Sequence, residues 1–201
     1  MSEAAIVILA GGRATRFGGG DKCLAPLGKA RVIDYVLDRL RRHHLPMAIN
    51  ANGDPRRFAE FRLPVLPDGQ PGHPGPLAGV LAGMRWAAGL GLGQIVTVAA
   101  DTPYFPHALV PTLIGESAGG TRIVIACCPN EDGNLLPQPT FGIWPVALAD
   151  DLETSLLSGT RKIMRWVKSQ PHAFTDFPMP EYFFNINSEQ DRQVAEDMLK
   201  G

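Results

Sequence analysis

The chain has 201 residues, 45% of them hydrophobic, and 19 basic against 20 acidic side chains give a net charge of −1. That suits one domain whose core buries on the order of 70% of the unfolded surface. It excludes a global basic field of the kind that holds nucleic acid non-specifically. Three cysteines, Cys23 and the adjacent Cys127 and Cys128, form neither a disulfide framework nor, without a CxxC, a zinc site.

The N-terminal MSEAAIVILAGG lacks a positive leader and carries Glu3, so it fails as a signal peptide. No apolar run approaches the roughly 20 residues of a membrane span. The expected setting is the cytoplasm, without membrane or nucleic-acid partners. Ala4–Ala10 is continuously apolar, the pattern of a strand buried on both faces. Leu9–Leu27, LAGGRATRFGGGDKCLAPL, then brings five glycines, two arginines and a lysine. Such a loop can point several backbone N–H groups at an anion, with basic side chains completing the cradle.

Val32, Ile33, Val36, Leu37 and Leu40 recur at helical spacing. The basic cluster Arg41–His44 at that helix's end reads as a solvated terminus. Residues 46–50 (PMAIN) and 63–68 (LPVLPD) are short strand candidates, Leu77–Ala88 is a helix after Pro76, and Gln94–Ala100 is a second buried strand. His107–Ile114 is helical and Thr121–Cys128 a strand. Asn130–Pro139 is polar, rich in Pro and Gly, and reads as a loop. Thr140–Trp144 follows as a strand, Val146–Leu157 and Arg161–Lys168 as helices, and Phe174–Phe177 as an edge strand. Ser188 with Asp191 forms a capping box that opens a last helix to Lys200. The alternation predicts an α/β fold, a mostly parallel Rossmann-like sheet with helices on both faces. Ligands in such sheets sit beyond the carboxyl ends of the strands.

Those ends carry the chemistry. The first is neither a Walker A loop, since no Gly-Lys-Ser/Thr closes it, nor a dinucleotide fingerprint. What remains is a long cradle ringed by Arg13, Arg16 and Lys22, in which Lys22 can neutralise charge on a transferring phosphate. The second end offers Asn50 and Asn52, either as base or ribose contacts or as ordinary turn residues. The third offers Asp68, whose carboxylate matches the paired N1–H and N2–H donors of guanine, though Pro-Asp-Gly is also a common turn. The segment 73–79, HPGPLAG, opens a helix whose N-terminus can hold an anion. The fourth end presents Asp101, a carboxylate that is costly there unless solvated or paired, and for which Mg²⁺ on phosphates is the natural partner. Gly115–Gly119, GESAG, matches a nucleophile elbow in letters only, because a helix precedes it and a strand follows. His73 and His107 lie near strand-end loops, and no HExxH occurs.

The glycine loop, the Ala100–Pro103 turn and Gly75–Gly79 together resemble the molybdenum cofactor guanylyltransferases, within the nucleotidyltransferases of the nucleotide-diphospho-sugar transferase type. Asn50–Asn52 and the NINSEQD of 185–191 extend the resemblance to about Asp191. It implies transfer of GMP from GTP to molybdopterin by a single domain, with nucleotide contacts in about 1–105 and acceptor contacts in about 106–201. It implies GTP contacts at Leu9, Ala10, Gly11, Lys22, Asn50, Asp68 and Asp101, with Mg²⁺ on Asp101. Gly19, Gly75, Gly79, Asn185 and Asn187 would lie toward molybdopterin, and Arg16 would join Lys22 and Asp101 in catalysis. It also implies transient contact with molybdoenzymes or their chaperones, and the expected state of the chain is a monomer. Two positions depart from the family pattern: Ala100, where some relatives have Cys, and Gln138, where His is frequent. Rival expectations are a cytidylyltransferase, a sugar-phosphate nucleotidyltransferase, and a non-catalytic nucleotide- and pterin-binding adaptor.

Overall fold

The computed structural model describes residues 4–11, 21–69, 75–130 and 132–200. In chain order these form β1 (Ala4–Leu9), β2 (Pro26–Leu27), β3 (Ala30–Arg31), α1 (Val32–Arg41), β4 (Met47–Asn50), β5 (Val65–Leu66), α2 (Pro76–Gly89) and β6 (Gln94–Ala99). There follow α3 (Leu109–Glu116), β7 (Ile123–Pro129), β8 (Leu135–Pro145), α4 (Ala149–Leu157), α5 (Ile163–Val167), β9 (His172–Asp176) and α6 (Glu189–Met198). Short 3₁₀ turns cover Lys22–Leu24, Pro55–Phe61, Val146–Leu148 and Pro180–Phe183.

Seven strands form one sheet in the order β5-β4-β1-β6-β8-β7-β9, while β2 and β3 make a small hairpin. The pairs β1–β4, β1–β6, β4–β5 and β7–β9 are parallel, and β8 runs against both its neighbours. The expected mostly parallel sheet is therefore observed.

Strand alternation divides the core between the two faces. Ile6 and Ile8 of β1, Val96 and Val98 of β6, and Val124 and Ala126 of β7 pack with α1 and α3. Ala5 and Val7, Ile95, and Ile123 and Ile125 pack with α2, α4 and α5. On the second face Trp144 stacks on Trp166 at 6.1 Å, and its indole N–H donates to Thr97 Oγ1 at 2.8 Å. A third cluster joins Leu27, Val32, Ile186 and Ala195, so α6 is fastened to the hairpin and to the start of α1.

The structure corrects the expected loop at Asn130–Pro139, because β8 already begins at Leu135. Proline obscures this strand in the sequence; Pro137 stands opposite Cys127 on β7, but on the β6 side neither it nor Pro139 has a partner, because that pairing begins at Gly142. A missing N–H is tolerated where no ladder partner needs it. The helix expected over Arg161–Lys168 is confined to Ile163–Val167, and that expected from Val146 becomes α-helical only at Ala149.

Candidate active site

The parallel strands deliver their ends to one side. Ala10 N donates to Asn50 O at 2.8 Å and Ala100 N to Leu9 O at 3.0 Å, so Leu9–Gly11 is pinned between the ends of β4 and β6. Beyond β6 lies Asp101. Burial pushes its carboxyl above the usual range, while the Lys22 ammonium, a backbone N–H and the Thr102 hydroxyl act in the opposite direction. The Thr102 hydroxyl lies 3.3 Å from Asp101 Oδ1 and also contacts Asn185 Oδ1; its single proton serves one acceptor at a time. Lys22 Nζ donates to Asn187 Oδ1 at 2.9 Å, and Ile186 N donates to Asp101 O at 2.9 Å. Lys22, Asp101, Asn185 and Asn187 thus form one cluster from three distant stretches of chain.

The start of α6 fixes the two asparagines. Ser188 Oγ accepts from Asp191 N at 3.1 Å, the expected cap, and Asp191 Oδ2 accepts in return from Asn187 N at 2.9 Å. The return bond goes to the residue before the cap, so helix initiation and the placement of Asn187 are the same event.

Asp68 lies at the other end of the site. Asn50, 3% exposed, donates through Nδ2 to Leu66 O at 3.0 Å and to Asp68 Oδ1 at 2.9 Å. Asn52 Nδ2 donates to Asp68 Oδ2 at 2.7 Å, and Asp68 N donates back to Asn52 Oδ1 at 2.9 Å. Each carboxylate oxygen is oriented by one amide and keeps a lone-pair position for another donor. Gly75, at φ +139°, caps α2 in a conformation that disfavours a side chain.

Gly79 has a steric role that its sequence position did not signal. A Cβ there would stand 2.1 Å from Asn50 Oδ1 and 2.9 Å from Leu9 Cδ2. Gly79→Ala must displace Asn50 and release Asp68, at the roughly 1–3 kcal/mol typical of overpacking. The expected result is a folded protein whose stabilisation by GTP in thermal melts is largely lost. Undiminished GTP stabilisation would show that Asn50 can move without consequence.

Arg13, Arg16, Gly18–Gly20 and His73 lie outside the described residues. His107 lies 3.5 Å from Arg39 Nη1, apart from this cluster. Gln138 Nε2 lies 3.1 Å from Cys128 Sγ. Ser117 is 1% exposed and its hydroxyl donates to Ile114 O at 2.8 Å, so GESAG closes a helix and presents no nucleophile. The three cysteines are free and buried, with the Cys23 thiol pushed up to about 12. Two residues to which the sequence assigned no role lie next to the site: Asp21, which precedes Lys22, and Arg57, with Arg57 Nε 2.6 Å from Asp21 Oδ2.

The strand-end backbone at Leu9–Gly11, a lysine near the half-buried Asp101 and the amide-held Asp68, all at the ends of one mostly parallel sheet, define a nucleotide-handling α/β protein. The chain belongs to the MobA-like NTP transferase domain family, whose model matches residues 6–173. It is 41% identical over 194 residues to the molybdenum cofactor guanylyltransferase of Cereibacter sphaeroides, covering 96% of each chain. It is 37% identical over 202 residues to that of Mesorhizobium japonicum, covering 96% of this chain and 95% of the relative. The fold is shared with molybdopterin-guanine dinucleotide biosynthesis protein A from Archaeoglobus fulgidus, at TM-score 0.74, 23% identity and 98% coverage of both chains. It is also shared with 4-diphosphocytidyl-2C-methyl-D-erythritol synthase from Anaerococcus prevotii, at TM-score 0.74 and 12% identity, covering 100% of this chain and 97% of the other.

Proposed function

We propose that the protein transfers GMP from GTP to the terminal phosphate of molybdopterin, forming the guanine dinucleotide cofactor and releasing pyrophosphate. One observation carries the base assignment: Asp68 is held by two amides with one lone-pair position left on each oxygen. Guanine offers two adjacent donors, N1–H and N2–H, to such a carboxylate, while cytosine offers one on the corresponding edge. Asn50 orients the acceptor, and the backbone of Leu9, Ala10 and Gly11 faces the nucleotide between base and phosphates. Lys22 and Asp101 lie at the phosphate end, with Asn185, Asn187 and Gly75 toward the pterin. Gly79 acts by leaving room for Asn50. The family resemblance adds Arg16 and Gly19.

A phosphate oxygen of molybdopterin attacks the α-phosphorus in line, and the bond from that phosphorus to the bridging oxygen of pyrophosphate breaks. The nucleophile is already anionic near neutral pH, so no general base is required. Lys22 neutralises phosphate charge while Asn187 holds its ammonium, and catalysis is positioning plus electrostatics. Asp101 suits a divalent cation, because burial opposes its negative charge and a bound cation would favour it. Among the described residues no group of three or more His, Cys, Asp or Glu could hold a metal. A Mg²⁺ ion at Asp101 would be held by this carboxylate together with phosphate oxygens. When bound, Mg²⁺ would supply charge neutralisation at those oxygens.

The reading includes a single-domain monomer in the cytoplasm that passes its product to molybdoenzymes or their chaperones. Among the described residues no helix is long and apolar enough to cross a membrane. The test is pyrophosphate release with molybdopterin, Mg²⁺ and each of GTP, CTP, ATP and UTP. Release with GTP alone is expected. Release with CTP would overturn the base assignment, and tight GTP binding without any release would favour an adaptor.

A further inference from the structure

Two adjacent arginines, Arg56 and Arg57, follow Pro55 in the 3₁₀ turn Pro55–Phe61, yet only one is turned inward. The Arg56 side chain is 88% exposed and pairs with Asp54. The Arg57 side chain is 27% exposed, with its guanidinium carbon 4.9 Å from the centroid of the buried Phe58 ring. Its Nη2 donates to Asn52 O at 2.5 Å and its Nη1 to Asp54 O at 3.4 Å. Its Nε stands 2.6 Å from Asp21 Oδ2 without a hydrogen-bonding angle, so this contact is one of charge. Gly53, at φ +87°, makes room for it: a Cβ there would stand 2.9 Å from Arg57 Nη1.

Two of these partners, Asp21 and Asn52, border opposite ends of the proposed nucleotide site. Asp21 precedes Lys22, and Asn52 holds Asp68 through its amide. We propose that Arg57 is a positioning residue that couples the two ends of the site. Its guanidinium holds Asp21, and with it Lys22, in fixed relation to Asn52 and the Asp68 that Asn52 clamps. It also neutralises Asp21, which would otherwise repel an incoming triphosphate. The arrangement makes phosphate placement depend on the same residue that steadies base reading. This rests on the reading of Asp68 as the guanine acceptor.

The test compares GTP with ITP, which keeps N1–H but lacks the exocyclic amine, by pyrophosphate release with molybdopterin and Mg²⁺. Arg57→Gln is expected to lower kcat/KM for GTP about tenfold or more, the scale of a lost charged hydrogen bond. It is also expected to contract the GTP-over-ITP preference toward that of Asp68→Asn. Arg56→Gln should match the wild type in both respects. A general loss of stability would reduce both nucleotides alike, so an Arg57→Gln protein with an unchanged preference overturns the proposal. If Arg57→Gln gives no cooperative melt, Arg57→Lys decides. It keeps a charge for Asp21 but lacks the fork that reaches Asn52, so a contracted preference supports the proposal and an intact one overturns it. A wild type indifferent to the amine, or an Asp68→Asn protein with undiminished preference, would remove the base reading and the role of Arg57 with it. Contraction in Asp68→Asn with intact preference in the Arg57 variants removes the role of Arg57 alone.

Discussion

Replacing Asp101 by alanine is expected to abolish GMP transfer while leaving the protein folded. The carboxylate stands at the end of a fully buried strand, where burial disfavours the anion. Its folded-state pKa is therefore raised. The ionised group works against folding at neutral pH, and its relative contribution is most favourable below the unfolded pKa and is lost as pH rises through the folded one. Removing it relieves that cost, so Asp101→Asn should melt at or above the wild-type temperature at neutral pH. In the proposed reaction the same group must be ionised to hold Mg²⁺, whose contribution to phosphoryl-type chemistry would be on the order of several kcal/mol. Pyrophosphate release measures the first effect, and melts with GTP, with and without Mg²⁺, measure the second. The Mg²⁺-dependent part of the stabilisation should vanish in either variant. Substantial transfer by Asp101→Ala would end the metal assignment.

Lys22→Ala is expected to slow turnover by about 10²-fold or more, the size of one lost electrostatic contact to a developing charge. The substitution also removes the cation that favours ionised Asp101 and the donor to Asn187. The acid limb of the remaining activity should therefore move to higher pH, because Asp101 then takes up its proton more readily. An unchanged rate would exclude Lys22 from the mechanism. A slower rate with an unmoved acid limb would separate its phosphate role from its influence on Asp101.

Runs such as Ala4–Leu9, which is continuously apolar, and Gln94–Ala99, apolar but for Gln94 and Thr97, are legible as strands because both faces of a mostly parallel sheet are covered. The side of the sheet that carries the site follows from those runs, and with it the candidate positions Asn50, Asp68 and Asp101. β8 is obscured because its first residues include two prolines and lie where pairing with β6 has not begun. The turn Pro55–Phe61 shows no period that distinguishes it from loop, although Asp54 caps it by accepting from Arg56 N at 2.9 Å. The Asp21–Arg57 contact is hidden because it joins two stretches with no local pattern between them. Gly79 reads as part of a glycine-rich motif, while its steric reason, the side chain of Asn50, lies on another strand.

The two ends of the site differ in the length of chain that each must close. The amide bond from Asn50 to Asp68 joins positions 18 apart, whereas the contact from Lys22 to Asn187 joins positions 165 apart. In a chain without other structure, loop-length scaling makes the longer closure about 2 kcal/mol more costly in entropy. The Asn50–Asp68 end joins neighbouring segments, brought together where β4 and β5 pair. The contact at Lys22 needs the far end of the chain in place, with Ile186 and Ala195 packed on Leu27 and Val32. Of the two, the contact from Lys22 to Asn187 is therefore the one more sensitive to any loosening of α6.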